Sequence, residues 1–165
     1  MRMLTYMATI EALEETRALI RVNPHLNGAP KFRQLFVFPE VKAWLDEVLP
    51  TLKALDPDDE GPRSQVWSLF RSFLLGHELD DEYDFRLMHP QNHDIYELKC
   101  PDVRFYGWFV DKGIFIAARV DSMERVHTFD LDGGYRGEAE RARDLIDLDP
   151  PKYVAGASKE YVFSI

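Results

Sequence analysis

Arg104, Phe105, Tyr106, Trp108 and Phe109 gather a cation and four rings in one short segment. That mixture suits single-stranded RNA, because rings stack on bases and a guanidinium pairs with phosphate. A central strand covered by helices needs large apolar side chains as well, so at least half of these rings are expected in a core. Strand alternation sends Phe105, Gly107 and Phe109 to one face and Arg104, Tyr106 and Trp108 to the other. The second set carries the polar atoms and is the expected working face.

Other residue types with chemical potential are weaker. His89 and His93 stand four apart, but Pro90 lies between them and no His-Glu-x-x-His pattern is present, so a polar turn is expected rather than a metal site. Cys100 precedes Pro101 without a neighbouring histidine and reads as a small buried hydrophobe. Gly133-Gly134 lacks both the dinucleotide fingerprint and the Lys-Ser/Thr of a phosphate loop. The acidic runs Asp56-Pro57-Asp58-Asp59-Glu60 and Glu78-Leu79-Asp80-Asp81-Glu82 lack the alternating ligands and closing Glu of a calcium loop and read as solvated loops. No cofactor and no metal are expected.

The 165 residues carry 20 Lys and Arg against 29 Asp and Glu, a net charge of -9, which argues against nucleic-acid binding by overall charge. The acid is uneven. Residues 31–100 hold eight basic and fourteen acidic side chains, whereas residues 101–127 hold four of each. A phosphate-facing patch therefore belongs in the second stretch. One cysteine excludes an internal disulfide and points to a reducing, cytoplasmic setting. No apolar run has the length to span a membrane, the first seven residues lack a secretory apolar region, and Met7 is a candidate start.

These side chains need elements to position them. Thr9 is expected to cap a helix carrying Ile10, Leu13, Arg17 and Ile20 that stops before Asn23-Pro24. Phe32 to Phe38 reads as a strand, and Pro39 opens a helix whose stripe of Val41, Trp44, Leu45, Val48, Leu49 and Leu52 runs on to an end near Pro57. Val66, Leu69, Phe70, Phe73 and Leu74 repeat the helical spacing, with Gly76 as the stop. Residues 85–88 and 95–99 read as strands, and 104–110 and 114–120 as a hairpin closed by Asp111-Lys112-Gly113. A last helix is expected over 138–148, ended by Pro150-Pro151, with residues 153–165 as a final strand or irregular cover. The chain reads as a single domain over 1–165: a helical extension at 1–30, a core at 32–148 and a tail at 149–165.

The strings Phe36-Val37-Phe38-Pro39-Glu40-Val41 onward to Leu52, Ile95-Tyr96-Glu97-Leu98-Lys99, Arg104-Phe105-Tyr106-Gly107-Trp108-Phe109-Val110 and Gly113-Ile114-Phe115-Ile116 resemble the RelE/ParE toxin superfamily, in particular its phage-derived HigB-type branch. The resemblance covers about residues 32–148. It implies a RelE-like α+β fold, in which a helical hairpin packs on an antiparallel sheet of about four strands, here with an extra N-terminal helix and a C-terminal helix. It also implies the toxin of a type II toxin–antitoxin pair, a ribosome-associated mRNA endoribonuclease in which the 2′-OH attacks the adjacent phosphate without a metal. On that reading Arg104 and Arg125 stabilise the phosphate, His127 acts as acid or base, and Tyr106, Trp108 and Arg119 hold RNA. The partners would be an antitoxin or other protein and mRNA on the ribosome, with no membrane. This chain departs from the branch at Val120-Asp121-Ser122-Met123-Glu124-Arg125, where two carboxylates replace a lysine pair. The departure frames a second reading, a protein-binding module on the same fold that has lost catalysis.

Overall fold

The computed structural model describes residues 8–156 and 159–165. The expectations placed on the first seven residues, including the start at Met7, lie outside them.

Thr9 caps α1, Ile10–Glu15, its Oγ1 accepting the Ala12 N–H at 3.2 Å. The helix ends there and does not reach Ile20 as expected. Arg17 adopts a left-handed conformation, φ 62°, and turns the chain into a short strand β1, Ile20–Arg21. Spacing alone allowed a longer helix, but pairing of Ile20 with Val37 places it in the sheet. Within the described part of this segment, Leu13, Leu19 and Val22 are buried.

Strand β2, Gln34–Val37, leads into α2, Pro39–Glu47, where Pro39 occupies a first-turn position that needs no N–H. The expected continuation toward Pro57 breaks at Pro50, which cannot donate in an α-helix interior, and Leu49–Thr51 form a single 3-10 turn. Helix α3, Pro62–Leu74, follows the acidic loop, with Gly76 left-handed just beyond it. Then come β3, Phe85–Leu87, β4, Tyr96–Cys100, β5, Val103–Asp111, and β6, Ile114–Ser122, with Gly113 at φ 70° in the expected hairpin turn.

Three helical segments complete the chain. Helix α4, Met123–Phe129, follows β6 at once, capped by Ser122 Oγ, which accepts the Arg125 N–H at 3.2 Å. Helix α5, Asp132–Leu145, begins well before the expected Glu138 and ends before Leu148, because docking on the sheet overrides the poor helix propensity of Gly133-Gly134. In the tail, residues 151–156 are irregular, as one of the two expectations had it, and Lys159–Phe163 form a short helix, α6, in place of a strand.

The chain is α+β, and the sheet corrects the expected four antiparallel strands. It has six strands in the order β1-β2-β6-β5-β4-β3; β2 runs parallel to β6 and the other neighbours are antiparallel. Helices cover both faces. Val41, Leu45, Val66, Phe70, Phe73 and Phe163 from α2, α3 and α6 pack with Phe105, Phe109 and Phe115 on one face. Leu13, Val126, Ala139 and Ala142 from α1, α4 and α5 pack with Phe36, Tyr106, Trp108 and Ile116 on the other.

Candidate functional site

The face that alternation assigned to Arg104, Tyr106 and Trp108 lies beneath α4 and α5. Tyr106 and Trp108 are both 0% exposed, which corrects their expected role as stacking platforms for RNA. Small residues allow this closure: Ala139 and Ala142 let α5 approach the sheet closely enough to seal the rings. Trp108 Nε1 donates to the Lys152 carbonyl at 3.1 Å, and Tyr106 OH donates to Asp132 Oδ1 at 2.7 Å.

The expected cations are held by the protein's own acceptors. Arg119 reaches Glu138 at 3.0 Å and Glu40 at 3.3 Å. Arg125 reaches Asp121 at 3.1 Å. Arg104, half-buried, donates to the carbonyls of Cys100 and Val103. His127 is exposed near the end of α4. Among the described residues no hydrogen bond or ion pair joins Arg104, Arg125 and His127 to one another.

What that face does assemble is a layer of polar groups, in which Glu97, Tyr106 and Asp121 are buried and the cations around them half-buried. Strand register sets Arg86, Glu97, Tyr106 and Arg119 side by side across β3, β4, β5 and β6, and Lys99, Arg104 and Asp121 in the next rung. The N-terminal turn of α5 closes over them. Asp132 accepts from Tyr106 and lies 3.3 Å from an Arg86 nitrogen, while the same nitrogen is 3.5 Å from Glu97 Oε2. A parallel arrangement holds Asp121, which is 5% exposed and accepts from the Ser122 N–H, Arg125 Nε and Tyr135 OH at 2.7, 3.1 and 2.7 Å. Tyr106 and Tyr135 stack at 5.1 Å, linking the two arrangements.

Glu97 is 2% exposed, and Oε2 has no hydrogen-bond partner. Burial pushes its carboxyl up to about 7 against the opposing pull of Arg86. Burial acts in the same direction on Asp132, but the hydrogen bond from Tyr106, the neighbouring Glu97 carboxyl and the Arg86 guanidinium hold that carboxyl below its ordinary value. Glu97 is therefore the member of the pair that takes up a proton more readily. Tyr106 is raised, first by burial and then by Glu97. Tyr135 is pushed up to about 12 by burial and its bond to Asp121. These groups hold a proton and fasten α5 to the sheet; at 2% exposure Glu97 is out of a substrate's reach.

The sequence held one usable sign of this layer. Alternation through Arg86, Glu97 and Tyr106 puts three polar side chains on the same face of adjacent strands, but their common helix partner, Asp132, could not be read before α5 was placed.

Cys100 is buried, which pushes its thiol up to about 12 and removes nucleophilic character. His93 Nδ1 meets Glu140 at 2.5 Å. Among the described residues no group of three His, Cys, Asp or Glu side chains is placed to hold a metal ion, and no helix is long and apolar enough to cross a membrane.

Fold and site together define an α+β protein with a mixed six-stranded sheet buried between helices and a sealed polar layer under α5. No family model matches the chain, and no curated protein or solved structure matches it.

Proposed function

We propose that the chain is a protein-binding module that meets its partner through acidic surface, rather than an RNA-cleaving toxin. The observation that carries this reading is the closure of the Tyr106 and Trp108 face under α5. Base stacking needs accessible rings, and the neighbouring Arg119 and Arg125 are engaged by Glu138, Glu40 and Asp121. The acidic runs, by contrast, stand in solvent. Asp56, Asp58, Asp59 and Glu60 are exposed before α3, and Glu78, Asp80, Asp81 and Glu82 after it, beside a Tyr83 that is 80% exposed. Like charges at this density repel phosphate and steer a basic protein surface toward the molecule.

The test is induction of the chain alone in a bacterial host, paired with incubation of the purified protein with ribosome-bound mRNA. The module reading expects normal growth and intact mRNA, together with binding of a lysine-rich peptide that weakens with added salt. Growth arrest by the wild type that Arg104→Ala relieves, or mRNA cleavage by the purified protein, would overturn it in favour of the toxin.

A further inference from the structure

A cavity of about 430 Å³ opens between β1, α2 and α3, a size within the range of small-molecule sites. Val22, Val37 and Leu45 line it and are buried, so the pocket has apolar walls. The half-buried Trp67 forms another wall, its ring fixed edge-on against Phe70 at 5.6 Å and 90°. A held aromatic face over apolar walls suits a flat ring.

The lining also inverts the charge of the molecule. In a chain of net charge -9, Arg21, Lys42 and Arg63 border this cavity against a single acid, Asp46. The three cations are not equivalent. Arg21 is committed to Glu14 at 2.9 Å and to Gln34 at 3.3 Å. Lys42 is committed to Asp46 at 2.7 Å. Arg63, exposed on the first turn of α3, makes no ion pair or side-chain hydrogen bond among the described residues. One uncompensated charge therefore remains, and it belongs to a guanidinium, whose planar fork matches a carboxylate.

We propose that this cavity binds a small aromatic monocarboxylate, with its ring against Trp67 and its carboxylate on Arg63. No residue of the acidic runs and none of the layer under α5 lines the cavity, although Arg63 follows Glu60 by three residues, so the proposal does not rest on the protein-binding reading. A dianionic phosphate is disfavoured because Glu14 and Asp46 already neutralise the two other cations.

Phenylacetate is the probe, titrated into the ¹⁵N-labelled full chain while the indole N–H signals of the three tryptophans are followed. Trp67→Phe assigns the Trp67 signal. The expected result is a saturable shift of that signal, with affinity reduced about tenfold by Arg63→Ala or Arg63→Gln, the loss of one charge-assisted pair at an exposed rim. Neutral phenylacetamide should bind weaker by a similar factor. Several outcomes would overturn the proposal: no saturable shift at millimolar phenylacetate, equal binding of acid and amide, affinity unchanged in both Arg63 variants, or tighter binding of phenyl phosphate than of phenylacetate. Arg63 is exposed, and the dispersion of each variant's spectrum reports its fold in the same experiment.

Discussion

Glu97 lies in the middle of β4 with its carboxyl enclosed by Arg86, Lys99, Tyr106 and Asp132. Its folded pKa of about 7 stands above the ordinary 4.5, so the fold favours the protonated form. The sign follows from linkage. Below the ordinary value Glu97 is protonated in both folded and unfolded chains and imposes no penalty. Between 4.5 and 7 the folded state binds the extra proton, so stability falls as pH rises; above 7 the loss is complete. Asp132 moves the other way: its lowered pKa gives stability that is lost only as pH falls below its ordinary 3.8, a separate window. Glu97→Gln keeps a neutral donor beside Asp132 without a proton to lose. Urea unfolding from pH 5 to 8 should therefore show a falling midpoint for the wild type and a flatter one for Glu97→Gln. Parallel slopes for the two proteins would contradict the protonated Glu97.

At the scale of elements, the β5–β6 pair is the frame on which both helical layers rest, and its irregularity is built around one glycine. The register shifts between Tyr106 and Gly107, leaving Gly107 against the backbone of β6. A Cβ there would lie 1.7 Å from the Ile116 carbonyl oxygen, inside any permissible contact. Backbone cannot yield as a side-chain tip can, so Gly107→Ala should cost about 3 kcal/mol, read as a lower urea midpoint. Gly133→Ala, where an added Cβ meets nothing within 4 Å, should raise stability by about 1 kcal/mol through helix propensity. The same contrast shows which parts were legible in the sequence. The hairpin turn with Gly113, the Pro39 start of α2 and the apolar stripe of α3 are local signals, and the structure places them as their residues predict, except that Asp111 pairs with Ile114 at the end of β5 and leaves Lys112-Gly113 as the turn. The first turn of α5 was hidden because Gly133-Gly134 weaken it, and α4 because its seven residues, Met123–Phe129, are too few for a clear apolar stripe. Alternation correctly separated Tyr106 and Trp108 from Phe105 and Phe109, but both sets are equally compatible with burial. Which face would be covered depended on Ala139 and Ala142 arriving from far along the chain. The pairing of Arg119 with Glu138 and Glu40 was equally invisible, since it needs three separate elements in place.

Across the whole molecule, one buried cation joins distant parts of the chain. Arg33, 5% exposed just before β2, donates from Nε and NH2 to the Phe163 carbonyl at 3.0 and 2.6 Å. Its NH1 donates to the carbonyls of Phe73 and His77, each at 2.9 Å. The entry to β2, the end of α3 and α6 are thereby tied at a single guanidinium, whose charge burial opposes by lowering its pKa. The tail contributes more than a carbonyl: Phe163 packs against Phe85 with centroids 4.0 Å apart, and the Gly113 N–H donates to the Val162 carbonyl at 2.8 Å. Arg33 and the tail should therefore be energetically coupled, which a double-mutant cycle measures. In the full chain Arg33→Met leaves the buried Phe163 carbonyl without its donor and takes one donor each from the Phe73 carbonyl, which keeps the Gly76 N–H, and from the more exposed His77 carbonyl, and should cost about 3 kcal/mol. In a chain lacking residues 157–165 the Phe163 acceptor is gone and water reaches the guanidinium, so the same substitution should cost about 1 kcal/mol. Lys cannot substitute for Arg33 in the full chain, because a single ammonium lacks the planar fork that serves acceptors on opposite sides. Urea unfolding of the four chains gives the coupling directly: unequal costs place Arg33 as the clasp between the β2 entry and the tail, and equal costs would show that α6 is held by its rings alone.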